Sequence, residues 1–144
     1  MKLPIARFAL VAVIGAGTLA LAQSEARVVD TKVLYEIPTR SSARVVLRAV
    51  DKHLDDAHGH ALIAVVAHGG GVETMLAGAK DEEDVAYAPA IERLRRRGVD
   101  FAVCGATLAM RHIDPKRVLP QLRIVDGGNA EIARLGAEGY VRLN

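Results

Sequence analysis

Tryptophan is absent from this sequence, cysteine occurs once, and aromatic residues make up only 3% of the 144 positions. The scarcity of aromatics speaks against a platform that stacks nucleic-acid bases and against an aromatic-rich sandwich, so no nucleic-acid partner is expected. One cysteine leaves no intramolecular disulfide to form. No apolar run reaches the roughly 20 residues that cross a bilayer, so no membrane-spanning helix is expected. Charge of one sign is lacking too: 19 basic residues stand against 17 acidic ones, a formal net charge of +2, with neither a basic nor an acidic tail. What is there is Ala, Val, Leu and Gly in a chain that is 51% hydrophobic and 25% charged. That balance suits helices packed closely on strands, and the length suits one compact domain with a real core.

The first residues read as a targeting segment to be set aside before any argument about fold. Lys2 and Arg7 precede the uncharged run FALVAVIGAGTLAL (Phe8 to Leu21), and Ala20-Leu21-Ala22 supplies the small residues that a signal peptidase reads. The expectation is a cleaved secretory signal over residues 1–22 and a single domain over 23–144, periplasmic or secreted, with no stable membrane insertion after cleavage. Without Lys2 and Arg7 the basic residues equal the 17 acidic ones, so the precursor's positive charge is no basic binding surface.

Downstream, strand and helix patterns alternate. Lys32 to Ile37 reads as a strand closed by Pro38, and Ser41 or Ser42 can cap a helix to about Asp55 with Ala43, Val46, Leu47, Val50 and Leu54 on one stripe. The run ALIAVVA, Ala61 to Ala67, is continuous apolar sequence of the kind found in a strand covered on both faces. A short helix over Val72 to Ala79, an acidic loop at Asp81 to Asp84, and a helix from Pro89 to Arg97 closed by Gly98 follow. The second half predicts a strand from Val99 to Cys104 and a helix from Ala106 to Arg111. After them come an Asp114-Pro115 turn, a strand from Leu122 to Val125, a helix from Ala130 to Glu138 and a last strand from Tyr140 to Leu143. This is the pattern of an α/β domain with a mostly parallel sheet of four or five strands and right-handed crossovers; it leaves the order of the strands open.

Reacting groups in an open parallel sheet gather beyond the carboxyl ends of the strands. Cys104 stands at such an end, as do Thr39 and Arg40, His68, and the stretch Asp126 to Asn129. A lone cysteine after four apolar neighbours is otherwise plain core filling. Here the helix opening at Ala106 to Leu108 would stabilise a thiolate, Gly105 leaves its approach open, and His68 or Arg40 could add a positive charge. Gly69, Gly70 and Gly71 have neither the Rossmann glycine spacing nor a Walker lysine and hydroxyl, which argues against a nucleotide. His53, His58 and His60, with Asp55 and Asp56, have ligand chemistry for zinc or copper but share no single element, so a polar surface turn is expected and no metal site.

Four stretches in order, VVAHGGGVETMLAGAK (65–80), IERLRRRGVDFAVCGATL (91–108), the IDP turn followed by LP (113–120), and AEIARLGAEGY (130–140), resemble the DsrE/DsrF-like proteins, which include the small YchN-like oligomers and the subunits of sulfur relays. The resemblance runs from about Lys32 to Leu143. It implies a flavodoxin-like three-layer α/β/α sandwich, assembly into trimers or hexamers, and, in relay members, a cysteine after the third strand that carries sulfur as a persulfide. Cys104 is the matching residue.

Two functions are thereby carried forward. One is an exported sulfur-binding or sulfur-transfer protein, sulfurtransferase-like, that takes sulfur from a donor protein or a small polysulfide on Cys104, with His68 and Arg40 as candidate helpers. It calls for no metal or organic cofactor, because both steps are exchange at sulfur. The other is a non-catalytic homo-oligomeric binding module whose cysteine is incidental. A metal or redox-sensing protein is a third, weaker class.

Overall fold

The computed structural model describes residues 31–143, so the expected signal segment lies outside the described residues. Strand β1 (Thr31–Ile37) leads through helix α1 (Ala43–Asp56) to β2 (Ala61–Ala67). A 3-10 segment (Gly69–Met75), helix α2 (Ala88–Arg96), β3 (Asp100–Cys104) and helix α3 (Gly105–Met110) follow. A single 3-10 turn (Pro115–Arg117), β4 (Arg123–Val125), helix α4 (Gly128–Ala137) and β5 (Val141–Arg142) complete the order.

The strands form one sheet in the order β4-β3-β2-β1-β5, and every pairing is parallel. The first three crossovers therefore step in one direction and the last returns across the whole sheet. Right-handed connections then put α1, α2 and α3 on one face and α4 on the other. The buried clusters agree. Val33, Tyr35, Ile37, Ile63 and Val65 pack with Val46, Val50, Ile91, Leu94 and Leu108. Their alternating neighbours Leu34, Ala64, Val66 and Ala102 pack with Leu135 of α4. This is the three-layer, flavodoxin-like α/β/α arrangement, with β2 central and its apolar run buried at every position but Leu62.

The apolar stripe expected on α1 is the face it buries: Ala43, Val46, Leu47, Val50 and Leu54. Its N-terminus differs from expectation. Ser42 stands at the cap position, but its hydroxyl turns back to the Thr39 carbonyl at 2.8 Å and makes no cap bond. The helix expected over Val72 to Ala79 is instead the tighter 3-10 segment, because three glycines let the chain press against β1. A Cβ on Gly71 would lie 1.8 Å from the Ile37 carbonyl oxygen, and Thr74 Oγ1 donates to the Gly71 carbonyl at 2.7 Å. Pro89 sits in the first turn of α2 and Gly98 follows its end with φ +93°, as a helix stop requires. Helix α4 begins at Gly128, two residues before the expected start, and that shift brings a backbone N–H to the cysteine.

Candidate functional site

Strand β3 runs into α3 with no loop between them, so Cys104 is both the last strand residue and the N-cap of the helix. Its Sγ accepts an N–H from Thr107, at 3.4 Å, and a second from Gly128, the first residue of α4, at 3.1 Å. Two helices from opposite faces of the sheet thus direct their N-termini at one sulfur, where unpaired N–H groups and the helix dipole favour negative charge. Burial alone would raise the thiol pKa. The donors on Thr107, Gly128 and Ala106 outweigh it, and the net shift is downward, toward thiolate.

Two glycines make this approach possible. A Cβ on Gly105 would fall 2.8 Å from the Val125 carbonyl oxygen of β4. A Cβ on Gly128 would fall 2.9 Å from the Cβ of His68, 3.4 Å from the Cβ of Cys104 and 3.6 Å from its sulfur. His68 and Cys104 therefore flank the same glycine at the carboxyl edge of neighbouring strands. The His68 ring, with 24% of its side chain exposed, faces β1, where its Nε2 lies 3.1 Å from Glu36 Oε2. Glu36 in turn is gripped by Arg142 of β5, whose Nη2 donates to Oε2 at 3.0 Å and whose Nε pairs with Oε1.

Of the three side chains singled out in the sequence, the fold brings Cys104 and His68 together around Gly128. The Arg40 guanidinium is engaged elsewhere, on the Lys80 carbonyl and, at 3.6 Å, on Glu73 Oε2. It lines a cleft of about 790 Å³ with Arg44, Asp81 and Tyr87. In the acidic stretch, Asp81 is a turn-former: its Oδ1 accepts from the backbone of Glu83 and Val85, and its Oδ2 pairs with Arg44. His53 uses its Nδ1 on the Tyr35 hydroxyl at 2.9 Å. Among the described residues no three His, Cys, Asp or Glu side chains gather as ligands for one ion, and no helix there is long and apolar enough to cross a membrane.

Glu36 and Arg142 carry little mark in the sequence. The one signal is a carboxylate in the buried half of the strand, one position before its end in KVLYEI; its partner lies 106 residues away.

Among curated proteins none matches this chain. Solved structures share the fold, among them two small proteins. The protein of unknown function MTH1491 from Methanobacterium thermoautotrophicum superposes with a TM-score of 0.69 at 25% identity, covering 79% of this chain and 98% of that one. The ychN protein from E. coli superposes with a TM-score of 0.64 at 17% identity, covering 78% and 96%. The DsrE/DsrF-like family matches residues 28–144. With a parallel five-stranded sheet, a cysteine closing its third strand and a family match over most of the sequence, this chain belongs to the DsrE/DsrF-like family.

Proposed function

We propose that the protein is an exported sulfur carrier that holds persulfide sulfur on Cys104. The observation that carries this reading is the pair of N–H donors, from Gly128 at 3.1 Å and Thr107 at 3.4 Å, converging on Sγ and lowering the thiol pKa. A core-filling cysteine needs no such donors; a nucleophile at sulfur needs its thiolate. The Cys104 thiolate attacks the outer sulfur of a persulfide RS–SH or of a small polysulfide. A new S–S bond forms on Cys104, the donor's S–S bond breaks, and RS⁻ leaves. The reverse exchange with an acceptor thiol delivers the sulfur. His68 is our candidate for exchanging the proton, supported by its Cβ and that of Cys104 flanking Gly128; Arg40, engaged by Glu73 and the Lys80 carbonyl, is left out of that role. Export rests on the segment before residue 23, and cleavage there is read by N-terminal sequencing of the protein recovered from the cell envelope or medium.

Assembly into a trimer or hexamer is part of the proposal. Strand β4 is a three-residue edge strand whose Ile124 is 46% exposed, and Met110 at the end of α3 is 73% exposed, apolar surface of the kind that subunit contacts cover. The same surface favours a second reading, a homo-oligomeric binding module with an incidental cysteine. Intact mass of the protein after brief polysulfide treatment, with a Cys104→Ser control, separates the two. The carrier gains sulfur atoms that reductant removes and the control does not. A folded protein that gains none, and whose thiol is alkylated only in denaturant, refutes the carrier and leaves the module.

A further inference from the structure

Glu36 is a carboxylate with 3% exposure inside a parallel sheet, and burying an ion there is costly unless the geometry returns the lost solvation. Nothing in strand pairing requires it, since its backbone pairs in register with Val66 like that of any other β1 residue. Alternation along the strands sets Glu36, His68 and Cys104 in step with Val66 and Ala102 of the α4 face; Cys104, at the strand end, meets α4 through Gly128 and also packs with the core on the α1 side. The three side chains thus form a row across the carboxyl edge of β1, β2 and β3, and Arg142 of β5 extends the row by one strand.

The chemistry of the row follows from what each atom can do. A carboxylate only accepts, so the 3.1 Å contact between Glu36 Oε2 and His68 Nε2 places a hydrogen on Nε2. In a neutral ring that leaves the lone pair on Nδ1. Arg142 donates to Glu36 Oε2 and lies in ion-pair contact with Oε1, which favours one orientation of the carboxylate.

We propose that Glu36, braced by Arg142, is a positioning residue that holds His68 as the Nε2–H tautomer, making Nδ1 the atom that takes and returns the proton in sulfur transfer at Cys104. The proposal rests on the carrier reading. In the step, Nδ1 removes the Cys104 thiol proton and the thiolate attacks the outer sulfur of RS–SH. The Cys104 S–S bond forms as the donor's breaks, and the departing RS⁻ takes the proton from Nδ1. The balance is Cys104–SH plus RS–SH giving Cys104–S–SH plus RSH, with no external oxidant or reductant.

The test uses the full chain, a small alkyl persulfide as donor, and the variants Glu36→Gln, His68→Asn, their combination, and Arg142→Gln. Two quantities are read: the nitrogen-15 shifts of the His68 ring and the single-turnover rate of persulfide formation. A protonated Nε2 in the unaltered protein and a mixed tautomer in Glu36→Gln are expected. His68→Asn should slow transfer about 100-fold, within the range of general acid–base catalysis, and Glu36→Gln about tenfold by the same mechanism. The double variant should match His68→Asn alone, because Glu36 acts only through the ring. Arg142→Gln, at a side chain 59% exposed, loosens the row from outside and guards against misfolding at Glu36; it should shift the tautomer and slow transfer by a smaller factor. An unchanged tautomer in Glu36→Gln and Arg142→Gln, or losses that multiply in the double variant, overturns the proposal while sulfur uptake stands. No persulfide on the unaltered protein overturns the carrier reading and the relay with it.

Discussion

Replacing Gly128 with Ala tests whether α4 supports the thiolate. The new Cβ would sit 2.9 Å from the Cβ of His68 and 3.4 Å from that of Cys104. Both are atoms fixed to strand backbone that no rotamer change can move aside, so the first turn of α4 must lift. Overpacking of this kind costs about 1–3 kcal/mol, while removing a helical glycine returns at most about 0.5–1 kcal/mol, so the variant loses stability. Lifting the turn lengthens the 3.1 Å bond from Gly128 N–H to sulfur. A hydrogen bond to a charged group contributes about 1.5–3 kcal/mol, and one pKa unit corresponds to about 1.4 kcal/mol. Losing about 1.4 kcal/mol of that contribution raises the thiol pKa and slows alkylation roughly tenfold at a pH below both values. The assay is the pH dependence of iodoacetamide alkylation, run beside urea unfolding. Gly127 supplies the control, because a Cβ there meets nothing closer than the Ala130 Cβ at 3.9 Å. Gly127→Ala should leave the thiol titration where it is. An unchanged titration and a gain in stability for Gly128→Ala would refute the idea that α4 supports the anion.

Glu131, 6% exposed and clasped by Arg123 at 2.7 Å and Arg134 at 2.8 Å, has its carboxyl held down to about 2. Its contribution is present above the ordinary carboxyl pKa and is lost as pH falls from about 4.5 toward about 2. Glu131→Gln should cost about 1–3 kcal/mol at neutral pH, discounted for the half-exposed arginines, and should flatten the acid limb of stability measured by urea midpoints. For Cys104 the lowered thiol pKa means that the native state binds fewer protons than the unfolded chain between the folded value and about 8.5. Stability should therefore rise with pH across that interval, and the rise should vanish in Cys104→Ala. Gly71→Ala, whose Cβ would meet the Ile37 carbonyl oxygen at 1.8 Å, should lose about 3 kcal/mol or more, read as a lowered melting temperature. Leu135→Ala empties the side chain that seats α4 on Leu34, Ala64 and Val66. A loss of about 2–5 kcal/mol is expected, together with slower alkylation of the thiol.

Periodicity made the local pieces legible. The stripe from Ala43 to Leu54 is the buried face of α1, the run ALIAVVA is the central strand, and Cys104 is the strand-to-helix junction that its apolar approach and following glycine suggest. Strand order was not legible, because parallel pairing is decided by crossovers far apart in the chain rather than by anything local. The pair Gly127-Gly128 concealed the start of α4: glycine carries no helix signal, and here its use is close approach to sulfur. The Glu36–Arg142 contact spans 106 residues and has no trace in local pattern. Arg40 shows the reverse limit. Its backbone does stand beyond β1, but its long side chain reaches Glu73 and the Lys80 carbonyl.

The last crossover also sets a timetable. Gly128, which donates to the sulfur, and Arg142, which grips Glu36, both lie beyond β4 in the chain. As the polypeptide lengthens from its N-terminus, β1, β2 and β3 are complete while Cys104 still lacks its donor from α4 and His68 its braced neighbour. A growing chain therefore carries a sulfhydryl without that donor, and its full acidity arrives only when residues 128–142 close over the sheet.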